Sequence, residues 1–229
     1  IKVTLKDGSI TEVKENTSVI ELAKEISEGL ARVATCARVD GNVEDLRFPL
    51  TKDCKLEILT FDSDLDGKKA YWHTTSHIMA QAVKHLFPNT KFAIGPAIDD
   101  GGFYYDFDSE ETFNDEDKAK IEVEMNKIIK EDLQIERFTL SKKEALELMK
   151  DEPYKTELIE EIPDGETISF YKQGDFTDLC AGPHLMSTGK VKCVKLLSNS
   201  GAYWRGNEKN KMLQRIYGIC FPKKSELDE

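Results

Sequence analysis

An α+β fold in two units is predicted for this chain, and three observations lead to it. Short alternating apolar stretches and one capped helical pattern fill the beginning of the chain. A polar, turn-rich segment at residues 62–67 follows them. Beyond it, helical and strand patterns succeed one another without a regular βαβ order. We therefore divide the chain into one unit at residues 1–61 and a larger unit at residues 62–229.

The first unit has the pattern of a small mixed sheet. Alternating apolar residues predict four strands, at residues 1–5, 10–13, 33–39 and 56–61. Asp7 and Gly8 form a hairpin turn between the first two strands. Ser18 and Glu21 have the spacing of a capping box for a helix after the second strand, and Gly29 is the predicted end of that helix. A sheet wrapped around one helix, the β-grasp arrangement, satisfies this order.

The second unit mixes helices and strands. The spacing of apolar residues predicts three helices, at residues 71–87, 115–133 and 141–150. Strand patterns occur in five places, at residues 94–98, 103–107, 167–172, 191–197 and 214–221. A hairpin turn at residues 99–102 is predicted to join the first two of these strands. This mixture predicts an α+β unit.

Composition and charge limit the compartment and the partners expected for this protein. No stretch is long and apolar enough to span a membrane, and the first residues do not have the pattern of an export signal. Five scattered cysteines favour a reducing compartment. We therefore expect a cytoplasmic protein without membrane contacts. A net charge of −11 argues against indiscriminate binding to nucleic acid. Residues 185–224 nevertheless contain nine basic residues and one acidic residue. This segment either binds a polyanion or forms a solvated face balanced by acids elsewhere.

Two separated motifs point to one chemical site. His73 and His77 are four residues apart in a predicted helix, so both side chains project from the same face. Much later in the chain, Cys180 and His184 flank a Gly-Pro bend. The fourth histidine, His85, is predicted to be structural. Concentration of the other three histidines in these motifs favours a shared site, and with the cysteine they form a complete tetrahedral ligand set for zinc.

The residues around both motifs resemble those of one enzyme family. Besides the HxxxH and CxxxH motifs, three segments carry the resemblance, Gly-Pro-Ala, Gly-Gly-Phe-Tyr-Tyr-Asp and Pro-Tyr-Lys, at residues 95–97, 101–106 and 153–155. In this order they resemble the amino-terminal half of bacterial threonyl-tRNA synthetases over nearly the whole chain. The resemblance implies a TGS domain at residues 1–61 and an editing domain at residues 62–229.

The resemblance also implies an activity. The editing domain of that family hydrolyses serine wrongly esterified to the tRNA for threonine, since a missing methyl group is worth only about 1–3 kcal/mol in the synthetic site. The aminoacylation core and the anticodon-binding domain, with their ATP, magnesium and core zinc, do not fit in 229 residues. We therefore expect a truncated chain that cannot charge tRNA and needs no cofactor. We also expect a monomer, although the full-length enzymes are homodimers.

Within this hypothesis each site residue has a role. His73 is the expected general base or partner of the ribose hydroxyl, and His77 and His184 are expected to shape and polarise the pocket. Lys155 is expected to position a water or to stabilise the oxyanion. Asp178 is expected to bind the serine ammonium group. Without the resemblance, a surface ion and a turn carboxylate would describe Lys155 and Asp178 better.

Two more residues leave alternatives open. Tyr104 either lines the substrate pocket or packs in the core. Cys180 either positions a water or, together with His73, His77 and His184, binds zinc, as the resemblance to alanyl-type relatives would imply. We expect no metal, because the resemblance to the threonyl branch implies editing without one.

Basic residues near the end of the chain are expected to contact phosphates of the acceptor stem. These residues are Lys190, Lys192, Lys195, Arg205, Lys209 and Lys211. Trp204 either stacks on the terminal nucleotides or packs in the core. Two rival functions remain, a zinc-dependent alanyl-type tRNA deacylase of the same fold and a non-enzymatic tRNA-binding or regulatory TGS module.

Overall fold

The predicted α+β class is confirmed by the structure, a computed structural model that describes residues 1–98, 101–110 and 112–223. Within these residues the chain forms six α-helices and fourteen strands. Asp99 and Asp100, which begin the predicted hairpin turn at residues 99–102, lie outside the described residues, as does Lys224 of the basic segment.

The first unit is a mixed sheet packed against two short helices. Its strands are β1 (Lys2–Leu5), β2 (Ile10–Glu12), β3 (Thr17–Ser18), β4 (Ala34–Val39), β5 (Asn42–Glu44), β6 (Pro49–Leu50) and β7 (Cys54–Thr60). Its helices are α1 (Val19–Ile26) and α2 (Glu28–Val33). The main sheet has the order β2-β1-β7-β4-β5, in which only β1 and β7 run parallel, and β3 pairs with β6 beside it. This is the β-grasp arrangement that the sequence predicts.

The helix of this unit does not end at Gly29, so that prediction is wrong. Ser18 accepts a hydrogen bond from the backbone N–H of Glu21 and caps α1 as predicted. The helix then stops at Ile26, because Ser27 adopts an extended conformation. The hydroxyl of Ser27 accepts from the N–H of Leu30 and starts α2, which contains Gly29. A serine that caps a new helix thus interrupts an otherwise helical apolar pattern.

The second unit combines two antiparallel sheets with four helices. Its helices are α3 (Leu65–Leu86), α4 (Asp115–Glu131), α5 (Lys142–Leu148) and α6 (Pro153–Glu160). Its strands are β8 (Lys91–Phe92), β9 (Phe103–Asp108), β10 (Ile135–Leu140), β11 (Ile168–Gln173), β12 (Phe176–Leu179), β13 (Val194–Tyr203) and β14 (Met212–Cys220). One sheet has the order β13-β14-β9-β8 and the other β10-β11-β12. Of these elements, β8, β10, β12 and α6 were not predicted.

The predicted strand at residues 94–98 is also wrong. This segment bonds irregularly to β9, through the carbonyl groups of Ile94 and Pro96, and pairs as a strand only at Ala97. Pro96 has no N–H to donate to a ladder. Gly95 lies against the ring of Tyr105, where an added Cβ would be 2.0 Å from the ring. The backbone therefore passes close to β9 without forming a regular strand.

Helix α3 is the centre of the second unit. It is buried from Tyr71 to Val83 except at His73, which is half-buried. Its first turn is joined to the first unit by Arg38 of β4, which pairs with Asp66 at 2.7 Å and also with Asp64. Among the described helices, none combines the length and the apolar character needed to cross a membrane.

His85 stabilises the outer side of this helix, and its contribution should depend on pH. Its imidazole lies 2.9 Å from carboxylate oxygens of both Glu124 and Asp175. Burial alone would lower the pKa of His85, but the hydrogen bonds to Asp175 and Glu124 raise it above its usual value. Because the folded pKa exceeds the unfolded value of about 6.5, the stabilisation is complete below that pH and is lost as the pH rises through the folded pKa.

We therefore expect His85→Asn to lower the free energy of unfolding by about 1 kcal/mol at pH 5.5 and by clearly less at pH 9. Urea denaturation of both proteins at the two pH values measures the difference. Lys127→Met is the control, because it also removes a basic side chain beside Glu124, at 3.9 Å, but leaves the His85 imidazole in place. An equal loss for His85→Asn at both pH values would contradict the prediction.

Candidate active site

The structure brings the HxxxH and CxxxH motifs together in one cluster. His73 and His77 project from α3, and Cys180 and His184 come from the loop after β12. The Sγ atom of Cys180 lies 3.3 Å from Nε2 of His73 and 3.2 Å from Nε2 of His184. One ligand atom from each of the four residues lies within 4.8 Å of the others. Residues separated by more than a hundred positions therefore form a single site.

The residue after His73 fixes the loop onto α3. The hydroxyl of Thr74 donates to the carbonyl of Ala70 and accepts from the backbone N–H of Leu185 at 2.9 Å. The same oxygen lies 3.4 Å from Nδ1 of His184. Thr74 is fully buried, so its hydrogen bond to Leu185 fixes the CxxxH loop against the buried face of α3.

The bend of the loop depends on Gly182. This residue has a φ of +79°, and an added Cβ would lie 2.1 Å from the hydroxyl of Tyr171. Its N–H donates to Sγ of Cys180 at 3.2 Å. The Tyr171 ring stacks on the His184 imidazole with centroids 4.1 Å apart. Only a glycine allows the loop to pass this close to Tyr171 and still return His184 to the cluster.

A buried ion pair lies next to the cluster. Nζ of Lys155 is 2.8 Å from Oδ1 of Asp178, and both side chains are about 4% exposed or less. The hydroxyl of Tyr105 donates to Oδ2 of Asp178 at 2.7 Å, and Nε2 of His77 lies 3.6 Å from the same oxygen. Burial alone would raise the pKa of Asp178, but Lys155 and these neighbours lower it, so the carboxylate is ionised at neutral pH.

The four cluster residues are uncharged at neutral pH. Burial lowers the pKa of His73 to about 3 and that of His77 to about 4, and it lowers the pKa of His184 well below its usual value. Burial raises the pKa of the Cys180 thiol to about 12. Neutral imidazoles accept protons or bind a metal, whereas a neutral thiol is a poor nucleophile. The site is therefore suited to activating a water rather than to covalent attack by Cys180.

Access to the cluster is from the side of His73. His77, Cys180 and His184 are buried, whereas His73 is half-buried and the neighbouring loop residue Ala181 is exposed. A substrate that approaches from solvent therefore meets His73 first.

Tyr104 lies on the other face of β9 from Tyr105. Its ring lies 3.9 Å from the guanidinium of Arg215 and 5.9 Å from the ring of Tyr217. Successive side chains of a strand point to opposite faces, so Tyr105 is the tyrosine that contacts Asp178. The alternation of buried Phe103, Tyr105 and Phe107 is the sequence signal that could have identified it. A substrate-binding role for Tyr104 stays a prediction.

The basic residues differ in their surroundings. Lys190 and Lys192 line a groove of about 570 Å³ between the two units, and Lys195 lies on β13. Lys209 is exposed. Arg205 pairs with Glu161, and Lys211 pairs with Asp108 at 2.7 Å. Part of the basic segment is thus balanced by acidic residues from the middle of the chain.

Trp204 is buried and packs against Tyr154 in the core.

Breaking the Lys155–Asp178 ion pair should change the stability of the fold strongly. We expect Lys155→Met to lower the free energy of unfolding by about 3–5 kcal/mol at pH 7, because it leaves a buried carboxylate without its cation. The double variant Lys155→Met/Asp178→Asn should recover part of this loss. Denaturant titration of both, with the exposed Lys150→Met as a control that changes little, checks the expectation. A loss for Lys155→Met as small as that of the control would show that the pair is not buried as described.

Comparison with known proteins shows which proteins the chain resembles. Residues 1–60 match the TGS domain, and residues 168–217 match the threonyl and alanyl tRNA synthetase second additional domain. The chain is 64% identical over 230 residues to the threonine–tRNA ligase of Acetivibrio thermocellus, a match that covers 100% of this chain and 36% of that protein. The ligase of Caldanaerobacter subterraneus is 64% identical over 229 residues, 99% of this chain and 35% of that protein. The ligase of Clostridium perfringens is 61% identical over 228 residues, 100% of this chain and 35% of that protein.

The chain thus spans about a third of the length of the relatives it matches. His73, His77 and Lys155 lie outside the segment matched by the second additional domain, but within the stretch shared with the ligases. The chain matches the amino-terminal region of threonine–tRNA ligases over its whole length, the region that carries the TGS domain and the threonyl and alanyl tRNA synthetase second additional domain.

Proposed function

We propose that this region hydrolyses the ester of serine mischarged onto the tRNA for threonine. The observation that carries the proposal is the four-residue cluster, which holds neutral proton acceptors beside the buried Lys155–Asp178 pair. The relatives are threonine–tRNA ligases, whose synthetic site must discriminate threonine from the smaller serine. Because a missing methyl group gives only modest discrimination, a separate hydrolytic site is useful to such an enzyme.

The proposed reaction begins with a water bound beside His73. His73 accepts a proton from this water as the oxygen attacks the ester carbonyl. The negative charge that develops on the carbonyl oxygen is stabilised by the Lys155 ammonium group. When the intermediate collapses, the bond to the ribose oxygen breaks, and the imidazolium of His73 returns its proton to that oxygen. Free serine and uncharged tRNA are the products.

The other residues bind and orient the reactants. Asp178 accepts the serine ammonium group, for which it is already ionised and buried. The neutral thiol of Cys180 lies between His73 and His184 and contacts the attacking water. His77 and His184 pack against His73 and fix its ring, since the three ring centroids lie 4.5–5.2 Å apart.

Zinc is the alternative at this site. His73, His77, Cys180 and His184 have the donor types and the mutual distances of a zinc site, and the metal would act as a Lewis acid on a bound water. We propose that the reaction needs no metal. Lys155 already supplies a cation beside the cluster, which can stabilise the oxyanion.

We expect protein purified without chelator to contain far less than one zinc per chain and to keep its deacylation rate after dialysis against EDTA. Elemental analysis by mass spectrometry, paired with the deacylation assay, measures both. Stoichiometric zinc whose removal abolishes activity would favour the alanyl-type mechanism instead.

The proposed partner is the 3′ end of the tRNA for threonine. Lys190, Lys192, Lys195 and Lys209 are proposed to contact its phosphates, with smaller contributions from Arg205 and Lys211 because carboxylates bind them. We further propose that the region is monomeric by itself. A cytoplasmic location fits the free thiols of all five cysteines.

The decisive assay compares two esters. We expect the chain to hydrolyse seryl-tRNA for threonine at least tenfold faster than threonyl-tRNA, and His73→Ala to lower the seryl rate by about a hundredfold or more, because the general base is lost. Release of radiolabelled amino acid from each preformed ester measures these rates.

His85→Ala is the matched control, because His85 lies on the same helix but outside the cluster, and its rate should stay close to that of the unsubstituted chain. Equal hydrolysis of both esters, or full activity in His73→Ala, would refute the proposal. Tight tRNA binding without any hydrolysis would favour the regulatory-module hypothesis.

A further inference from the structure

One loop of the first unit contacts the CxxxH loop of the second. This loop connects β5 to β6 and contains two charged residues, Asp45 and Arg47. Their side chains are only 10% and 17% exposed, and they pair with each other at 2.8 Å. Met186, which follows the CxxxH loop, packs against the apolar core of the first unit. The two units therefore meet directly behind the candidate active site.

Asp45 contacts two parts of the site at once. Its Oδ2 atom accepts a hydrogen bond from the backbone N–H of His184 at 3.0 Å and from the hydroxyl of Tyr171 at 2.6 Å. Tyr171 is the residue whose ring stacks on the His184 imidazole. One carboxylate of the first unit thus fixes both the backbone of His184 and the ring against which its imidazole lies.

Arg47 contacts backbone carbonyl groups of the same loop. Its guanidinium donates to the carbonyl oxygens of His184 at 3.2 Å and Leu185 at 2.8 Å. It also donates to the carbonyl of Ile135 at 3.1 Å. The planar guanidinium can bind several acceptors in one fixed geometry, which a lysine could not reproduce. Together, Asp45 and Arg47 bind both the N–H and the C=O of His184.

We propose that Asp45 and Arg47 are positioning residues for the hydrolytic site, so that the TGS domain completes the active site of the editing domain. The proposal rests on the proposed function. It follows from where these contacts fall, because they converge on a cluster residue and not on the general surface between the units. A catalytic arrangement must be fixed to a fraction of an ångström, and a displacement of about 1 Å can cost a hundredfold in rate.

The contact between Arg38 and the start of α3 provides a matched comparison. Arg38 also joins the two units through carboxylates, but it lies at the first turn of α3, away from the CxxxH loop. If Asp45 and Arg47 only joined the units, Arg47→Met and Arg38→Met would have similar consequences. If they position His184, only Arg47→Met and the Asp45 variants will affect the reaction.

The experiment uses the whole 229-residue chain. Deacylation of seryl-tRNA is measured as kcat and KM for Asp45→Ala, Asp45→Asn, Arg47→Met and Arg38→Met. We expect Asp45→Ala and Arg47→Met to lower kcat about ten- to a hundredfold with little change in KM. Asp45→Asn, which keeps a hydrogen-bond acceptor, should retain more activity than Asp45→Ala. Arg38→Met should keep the kcat of the unsubstituted chain.

A spectroscopic measurement reports on the loop without reference to activity. The chain has four histidines, so its imidazole ¹H–¹³C signals are few and can be assigned with single variants. Asp45→Ala and the milder Tyr171→Phe should shift the His184 signals, because the stacked ring changes position, and should leave those of His85 in place. Tyr171→Phe removes a single oxygen atom and serves if the Asp45 variants do not fold.

The outcomes are distinct. An unchanged kcat in Asp45→Ala and unshifted His184 signals would overturn the proposal, as would an equal loss of kcat in Arg38→Met and Arg47→Met. If the unsubstituted chain does not hydrolyse seryl-tRNA, the proposed function fails, and the imidazole signals alone decide whether Asp45 positions the loop.

Discussion

The structure depends on the burial of a polar helix. The middle of α3 carries hydroxyl, imidazole and amide groups in positions that exclude water, and each such group needs a hydrogen-bond partner inside the protein. Thr74 finds its partner in the CxxxH loop, Ser76 in the carbonyl of Gly95, and Gln81 in β11. Each partner belongs to a different part of the second unit. The need to satisfy these groups therefore determines which segments pack around α3, and with them the shape of the site.

The electrostatics of the site follow from the same burial. Three imidazoles and a thiol remain uncharged because the interior disfavours their ionised forms. Two ion pairs flank this neutral cluster, the buried pair Lys155–Asp178 on the side of α6 and the largely buried pair Asp45–Arg47 on the side of the first unit. Each pair is neutral overall, yet it presents a fixed dipole to the cluster. Such preorganised charges stabilise a developing oxyanion without the reorganisation that water would require.

Local rules predicted part of this arrangement. The four-residue spacing of His73 and His77 sufficed to place both on one helix face. The succession of strands and helix along the first unit followed from alternation and turns. Tyr105 was missed because its neighbour Tyr104 has the same chemistry, and only the register of β9 distinguishes them. The contact of Asp45 with His184 joins residues 139 positions apart in two units, so no periodic pattern in the sequence could have predicted it. The predicted helix end at Gly29 was wrong because Ser27, two residues earlier, ends α1 and caps the next helix.

The proposed mechanism gives the Lys155–Asp178 pair a role in recognising an aminoacyl ester. In the free site the carboxylate is bound by Lys155 and by the hydroxyl of Tyr105, so both of its oxygens are occupied. A serine ammonium group that binds Asp178 competes with Lys155 for the same charge. That competition weakens the existing pair and leaves the lysine more available to the carbonyl oxygen of the same substrate. An ester without an ammonium group would leave Lys155 paired, and its oxyanion would lack this stabilisation. Substrate binding and oxyanion stabilisation are thereby coupled through one buried carboxylate.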